Sequence, residues 1–255
     1  MIRKRIIGAI TVRQGIAVQS FGYRRYLPLG KPEVVAANFD RWGADEIVVT
    51  SIDRSATGAG PDMTLLKRMA DKGLATPLVY GGGIRNVDDA CAVIGAGADR
   101  LLCDALLHDD PAMIEQIGGA VGIQAVIGCL PLSIERGVLT WYDYRQRISK
   151  PLSADLRALI EAGALSELLI TDWRHEGEAG GFDPMLLAVG RLGVPLITFG
   201  GISEPVVAKS LLAKREVAAV AIGNFLGYRE HAIQRMREAI GDGDLRKPCY
   251  SREDD

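Results

Sequence analysis

The chain repeats itself at an offset of about 120 residues, and this repeat constrains the fold more than any other feature. The segments "RIIGAITV", "GADEIVV" and "TPLVYGGGI" of the first half match "AVIGCLPL", "ALSELLI" and "VPLITFGGI" of the second. The alignment places Gly8 opposite Gly128 and Glu46 opposite Glu167. Further pairs follow in the same order, which chance similarity between two segments does not explain. We infer that one half was duplicated and fused.

Short apolar runs of strand type alternate with segments of helical periodicity along the whole chain. Strands are predicted at 5–12, 46–52, 77–80, 100–104, 124–130, 167–171, 195–199 and 217–223. Strands that alternate with helices form a parallel sheet covered by helices. A length of 255 residues suits one closed barrel better than an open doubly wound sheet. The prediction is a single (βα)8 TIM barrel over 1–255, with half-barrels at about 1–121 and 122–245 and a tail at 246–255.

Composition and charge exclude several classes of function. The net charge of −2 gives no general attraction to nucleic acid or to an anionic membrane surface. The apolar run after the basic residues at the N-terminus is too short for a signal peptide, and no segment is long enough to span a membrane. The four cysteines and three histidines lack disulfide or metal-ligand spacing. We therefore expect a cytoplasmic protein without a metal or cofactor.

Glycines follow the third strand of each half, where a ligand can approach the backbone. Gly82 and Gly83 occupy this place in the first half, and Gly200 and Gly201 occupy it in the second. Successive glycine N–H groups form a cradle for anions. The next strand of each half ends at a small or polar residue, and the predicted phosphate-binding set adds these residues: Asp104, Gly223 and Asn224. Two cradles at one barrel mouth fit an elongated ligand with two phosphates, although the Asp104 carboxylate repels phosphate at the first. The partner implied is a phosphorylated small molecule.

The sequence resembles the HisA/HisF family of histidine-biosynthesis barrels, and within it the cyclase subunit of imidazole glycerol phosphate synthase. The resemblance covers nearly the whole chain, through segments such as "KRIIGAITVRQG", "VYGGGI", "GADRLLCDALLHDDPAMI" and "LITFGGI". It implies a cyclase that receives ammonia through the barrel from a class I, HisH-like glutaminase docked on the opposite face. In that family two aspartates, after strands 1 and 5, perform the acid–base chemistry of cyclisation.

This chain departs from the family at both aspartate positions, which Thr11 and Pro131 occupy. Ser51 also stands where the family usually has an acid. Proline cannot transfer a proton, and a threonine hydroxyl is too weak an acid to replace a carboxylate. Loss of one general acid or base typically slows a reaction about 10²–10⁴-fold. We therefore expect the family's cyclase activity to be impaired.

The opposite end of the barrel keeps the charged residues that the family uses as an ammonia gate. The resemblance assigns this gate to two cations and two anions, namely Arg5, Glu46, Arg100 and Glu167. Buried ion pairs add little net stability, so a purely structural plug would more simply be apolar. Asp99, beside the gate, matches the family's acid at the glutaminase interface. The alternative is that these four charges are ordinary solvated pairs at strand entries.

Other polar residues are expected at the mouth where barrel catalysis occurs. Asp53 follows strand 2, and Asp172 and His175 follow strand 6, so these three are weak catalytic candidates. A pair between His175 and Glu176 would suit acid–base work, or would be a solvated loop pair. The aromatic and basic segment 141–150 corresponds to a mobile excursion over the mouth in the family. Its role is either to close as a lid or to dock a partner, and both alternatives stay open.

Three functions remain open at this point. The first is a subunit of a glutamine-dependent amidotransferase complex that passes ammonia to a third protein. It resembles the cyclase-like subunits that work beside a sugar amidotransferase in the synthesis of surface polysaccharides and nonulosonic acids. The second is an active cyclase, a lyase of histidine biosynthesis. The third is a phosphosugar isomerase on the same barrel, which would need no passage through its centre.

Overall fold

The computed structural model describes residues 3–227, 231–241, 243 and 245–248. Its strands are β1 (Arg5–Arg13), β2 (Ile16–Phe21), β3 (Arg25–Gly30), β4 (Glu46–Ser51), β5 (Leu78–Gly81), β6 (Arg100–Cys103), β7 (Val126–Glu135), β8 (Val138–Asp143), β9 (Ile148–Pro151), β10 (Glu167–Asp172), β11 (Leu196–Phe199) and β12 (Val217–Ile222). Its α-helices are α1 (Pro32–Arg41), α2 (Arg54–Thr57), α3 (Met63–Ala70), α4 (Val87–Gly95), α5 (Leu106–Asp109), α6 (Pro111–Val121), α7 (Ala154–Glu161), α8 (Pro205–Leu212) and α9 (Ala232–Ile240). Three 3-10 segments cover Ile123–Ala125, Pro184–Leu192 and Asn224–Gly227.

Eight parallel strands close into a barrel, as predicted. β1 pairs with β12 on one side and with β4 on the other, and β10 pairs with both β7 and β11. The (βα)8 fold is therefore confirmed. The predicted barrel strands agree with the observed ones to within two residues, except that β7 runs on to Glu135 beyond its predicted end at residue 130.

The barrel separates two apolar cores. One lies inside it, where alternate residues of each strand meet; its buried members are Ile7, Val48, Val79, Leu102, Ile127, Leu169, Ile197, Ala219 and Ala221. The other lies between the strands and the helices and includes Ile6, Ile47, Leu101 and Leu168. Both faces of the barrel strands are therefore buried, which is why their sequences are nearly continuous apolar runs.

Two hairpins extend the sheet beyond the barrel, one in each half. β2 and β3 follow β1, and β8 and β9 follow β7. The turns that enter them, Gln14-Gly15 and Arg136-Gly137, have both residues at positive φ, the geometry that suits two-residue hairpin turns. The segment 141–150 is thus not a plain connecting loop, because it contains part of β8 and part of β9.

Side chains cap several of the surrounding helices. The side chains of Asp62, Asn86, Asp110 and Ser153 each accept a hydrogen bond from a backbone N–H in the first turn of their helix. Of the described helices, none has the length and apolarity needed to cross a membrane. Cys249 and most of the predicted tail, 249–255, lie outside the described residues.

Candidate functional site

A closed ring of ion pairs lies at the N-terminal end of the barrel strands. Arg5 Nη1 is 3.1 Å from Glu46 Oε2, and Arg5 Nη2 pairs with Glu167 Oε1. Arg100 Nη1 lies 3.1 Å from Glu46 Oε1 and 2.6 Å from Glu167 Oε2. Each carboxylate thus places one oxygen on each arginine. Arg5, Glu46 and Glu167 are all less than one-tenth exposed, so the ring is a buried network and not a set of solvated charges.

Arg100 also forms two hydrogen bonds outside the ring of ion pairs. Its Nη2 donates to Ser166 Oγ at 2.7 Å, and its Nε donates to the Gln124 carbonyl at 3.2 Å. Burial lowers the pKa of Arg100, but Glu46 and Glu167 outweigh that effect and leave the pKa raised. Arg100 is therefore protonated and carries its charge within the ring.

Directly above the ring, the residues that face the interior of the barrel change from charged to apolar. The interior core packs there, around residues such as Ile7, Val48 and Leu169. An apolar lining imposes a large desolvation cost on an ion and a smaller one on a neutral molecule. An uncharged solute would therefore meet a lower barrier here than an ion would.

Asp99 lies at the same end of the barrel and is exposed. Its Oδ2 accepts a hydrogen bond from the Leu78 N–H at 2.8 Å, which fixes the carboxylate beside the strand entry. This placement presents a charge on the face that holds the ring.

At the opposite end of the barrel, no titrating side chain stands at the two positions where the family has its aspartates. Thr11 pairs in register with Thr50 of β4, and Pro131 pairs with Thr171 of β10. Pro131 is tolerated within β7 although proline lacks an N–H. The mouth therefore has no carboxylate at either position.

Asp104 provides a carboxylate at the mouth instead. It follows β6, and the alternation of that strand places it on the interior face with Leu102. Its Oδ2 accepts from the Tyr144 hydroxyl at 2.8 Å, and its Oδ1 accepts from Ser55 Oγ at 3.4 Å. Burial, and next the Asp104 charge, raise the pKa of the Tyr144 phenol well above its usual range. Tyr144 is thus a neutral donor to this carboxylate.

The two glycine cradles share one backbone geometry. Gly82 and Gly200 have φ values of 119° and 95°, and Gly83 and Gly201 have values of 77° and 68°. A Cβ at Gly82 would lie 2.4 Å from the Ser51 carbonyl, and a Cβ at Gly200 would lie 2.5 Å from the Asp172 carbonyl. Glycine is required at these places because of both the left-handed φ and the close approach to a neighbouring strand.

A cavity lies over the second cradle. Its lining includes Glu176, Gly200, Gly201, Ser203, Gly223 and Asn224. The Asn224 side chain is not free to bind a ligand, because its Nδ2 donates to the Ser20 carbonyl at 2.6 Å and its Oδ1 accepts from the Ser20 N–H at 3.2 Å. Any contribution of Asn224 to anion binding must therefore come from its backbone.

The predicted pair between His175 and Glu176 is wrong. His175 Nδ1 lies 2.8 Å from Asp172 Oδ2, which also accepts from the Asp183 N–H at 2.8 Å. Asp172 is buried, and strand alternation places it on the outer face of β10, opposite Leu169. Asp172 therefore organises the loop after β10. Asp53 likewise accepts from the backbone N–H of Gln14, at 2.9 Å.

Glu176 binds the first hairpin. Its Oε2 accepts from Ser20 Oγ at 2.9 Å and from the Tyr23 N–H at 3.2 Å, and its carbonyl accepts from the Gly22 N–H. Burial raises the pKa of Glu176, and the bonds from Ser20, Tyr23 and Gly22 only partly oppose this. Gly177 permits the close approach, because a Cβ there would lie 2.3 Å from the Ser20 carbonyl.

Sequence reasoning missed two tyrosines at the mouth. Tyr23 lies in the turn between β2 and β3 and has its pKa raised by burial, with Glu176, Cys129 and Thr171 among its neighbours. Tyr144 lies in the turn between β8 and β9. An aromatic residue in the turn of each hairpin is the signal that could have identified them.

Comparison with known proteins places the chain among histidine-biosynthesis proteins. Residues 5–232 match the family model described as "Histidine biosynthesis protein". A relative in Acidobacterium capsulatum, named imidazole glycerol phosphate synthase subunit HisF, is 30% identical over 98% of this chain and 100% of its own length. Relatives with the same name in Staphylococcus aureus and Thermococcus gammatolerans are 28% and 26% identical, over 96% and 95% of this chain and 99% and 96% of their own lengths.

Proposed function

Because the chain belongs to the histidine biosynthesis protein family, we propose that it is a HisF-like subunit that docks a HisH-like glutaminase and conducts ammonia through its barrel. The ammonia serves a third-party acceptor, and the family's cyclisation chemistry is lost. The acceptor class suggested by the resemblance is a sugar, aminated with the help of a sugar amidotransferase.

The observation that carries this proposal is the buried ring of Arg5, Glu46, Arg100 and Glu167. Charges buried at this cost are retained when they serve a function, since an apolar plug would close the barrel with similar stability. The apolar lining above the ring suits neutral ammonia. The exposed Asp99 supports glutaminase docking on the same face.

The loss of cyclisation rests on Thr11 and Pro131. A general acid or base typically contributes about 10²–10⁴-fold to a reaction rate. Because both family aspartates are replaced, the family reaction is left close to its background rate. The second candidate is an active cyclase, and Asp104 favours it because this carboxylate is held at the mouth by Tyr144 and Ser55.

One assay separates these two candidates. The isolated chain is incubated with the family's substrate, the ribulosyl formimino carboxamide nucleotide, and with ammonium salt as the nitrogen source. No turnover by folded protein is expected. Turnover well above background overturns the loss of cyclisation, and its disappearance in Asp104→Asn would assign the proton transfer to Asp104.

The conduit is tested by substitution in the ring. Glu46→Gln removes one charge from the buried network, so we expect glutamine-driven transfer to fall about tenfold or more relative to ammonium-driven transfer. The measurement uses the complex of this chain with its glutaminase, and a lysate of the source organism supplies the acceptor. The nitrogen source is either glutamine labelled with ¹⁵N at its amide or ¹⁵N-labelled ammonium. ¹⁵N NMR then quantifies the labelled products from each source.

Glu33→Gln is the matched control, since Glu33 is also buried but lies on α1, outside the barrel. Equal ratios of glutamine-driven to ammonium-driven transfer in Glu46→Gln and the control would contradict the conduit.

A further inference from the structure

The turns of both hairpins are fixed at the barrel mouth. The first hairpin covers residues 13–31, and the second hairpin covers residues 135–151. Tyr23 of the first lies 121 residues before Tyr144 of the second, in agreement with the internal repeat. Each donates a hydrogen bond to a carboxylate at the mouth, Tyr23 through its N–H and Tyr144 through its hydroxyl. The two hairpins therefore form a fixed rim on the mouth.

The two hairpins concentrate positive charge on a chain that is slightly acidic overall. The first hairpin has four cations and no carboxylate, and the second has four cations and two carboxylates. Their joint net charge is +6, whereas the whole chain carries −2. Such a surface attracts a partner of negative charge and repels a second copy of itself.

Several of these cations have no partner on the chain itself. Arg24, Arg136 and Arg147 are exposed, and their side chains form no hydrogen bond or ion pair with another described residue. Arg136 and Arg147 also hold the backbone in the left-handed region, at φ values of 52° and 57°. Glycine or asparagine adopts this geometry at a lower cost. The turns alone therefore do not explain why arginine occupies these two positions.

The carboxylates of the second hairpin are already paired. Asp143 Oδ2 lies 3.0 Å from Lys150 Nζ, and Glu135 Oε1 lies 2.7 Å from Nη2 of Arg174, in the loop after β10. Neither carboxylate is therefore left to bind Arg136 or Arg147.

Three carboxylates lie near the first hairpin. Glu176 is buried against it, and Asp53 accepts a hydrogen bond from a backbone N–H of the turn between β1 and β2. Glu178 is exposed in the loop after β10. Even with all three ionised, the four cations of this hairpin outnumber them.

The hairpins also expose apolar side chains. They make up about a seventh of the chain, yet they hold five of the ten large apolar side chains that are exposed among the described residues: Ile16, Leu27, Leu29, Val138 and Ile148. Arginine and apolar side chains together are typical of protein–protein interfaces. A surface that binds only a phosphate or a nucleic acid backbone needs the arginines but gains little from the exposed leucines.

We propose that the two hairpins dock the protein that accepts the ammonia, through a face of that protein that is acidic and partly apolar. This inference rests on the proposed function and names the surface by which the third protein is held. The glutaminase is assigned to the opposite end of the barrel, so it does not compete for the hairpins. A protein seated on the rim covers the mouth, and ammonia that leaves the barrel reaches it without release to solvent.

Charge reversal in both hairpins tests this surface. The variant Arg24→Glu, Arg147→Glu is assembled with the glutaminase and supplied with glutamine labelled with ¹⁵N at its amide. Proteins from a dialysed lysate of the source organism, from a strain that lacks this chain, are titrated in while the lysate's small molecules are kept constant. We expect the protein concentration at half-maximal transfer to rise at least about tenfold, because like charges now face each other.

Lys67→Glu, Arg235→Glu is the matched control, since both residues are exposed cations on the outer helices α3 and α9. An equal rise in this control, or no rise in the hairpin variant, overturns the proposal.

The apolar part is tested by Leu27→Ser, Leu29→Ser, which should raise the same half-maximal concentration. A response to the arginine variant alone would indicate an anionic ligand such as RNA in place of a protein, and would contradict the proposal. Absence of glutamine-driven transfer with the unchanged chain instead overturns the proposed function, and this inference with it, so the two failures are distinguishable.

Discussion

At the scale of single residues, His108 shows how burial controls a titration. Its ring stacks on Trp141 with centroids 3.4 Å apart and planes 8° from parallel. Burial, with smaller contributions from the charges of Arg145 and Lys150, lowers the pKa of His108 to about 4, although the charges of Asp109 and Asp143 oppose this. The folded protein therefore holds this histidine neutral where the unfolded chain protonates it.

This predicts a loss of stability in mild acid. Between pH 6.5 and about 4 the unfolded state binds a proton that the folded state does not, so the free energy of unfolding falls as pH falls. After allowance for solvent screening, we expect a loss of about 1–2 kcal/mol. His108→Phe keeps an aromatic stack without a titrating group, and urea unfolding across this range should show a flatter profile. An unchanged slope would exclude His108 as the cause.

The mouth shows which residue roles the sequence could predict. Thr11 and Pro131 were recognised through the family resemblance, which places the two family aspartates at these positions. The hydrogen bonds of Asp104 were not predictable, because Tyr144 reaches it from a hairpin 40 residues along the chain. The partner of His175 was misassigned because adjacent residues in a turn point in different directions.

At the scale of elements, barrel strands and hairpins differ in how readily they are predicted. The barrel strands are buried on both faces, so length and apolarity alone reveal them. β3 is exposed along nearly its whole length and contains a proline between two leucines, so it has no clear alternation. Its position depends on its pairing with β2, and Glu176, in the distant loop after β10, holds the turn that joins the two strands.

The first hairpin should loosen when Glu176 is removed. Glu176→Ala deletes the acceptor for Ser20 Oγ and the Tyr23 N–H, so we expect trypsin to cleave at Arg24 or Arg25 about tenfold faster. Limited proteolysis followed by mass spectrometry measures this rate. Glu178→Ala, in the same loop, is the control, and equal cleavage in both variants would show that Glu176 does not hold the hairpin.

At the scale of the whole molecule, the charged ring is expected to contribute function more than stability. Removing one partner, as in Glu46→Leu, leaves a buried arginine uncompensated and should cost about 3–5 kcal/mol. Replacing all four residues by Met and Leu of similar size should restore most of that loss. Thermal and urea unfolding of the single and quadruple variants measure both effects; a quadruple variant less stable than the single one would assign the ring a structural role.

The barrel was predictable as a whole because its strands repeat at regular spacing, and the four charged residues at its end were identified through the family resemblance. The hydrogen bond between Ser55 and Asp104 was not predictable, since it depends on where these two side chains point. Similar backbones in the two halves thus carry different local chemistry.

A closed barrel normally has no free sheet edge, yet the two hairpins bring edges back. Within the described residues, β3 pairs only with β2, and β9 pairs only with β8. Proline cannot donate to an added strand, and charged side chains discourage one. Pro28 lies within β3, and Lys150 and Pro151 end β9. The two hairpins extend over the mouth. Their outer strands carry residues that disfavour edge-to-edge aggregation.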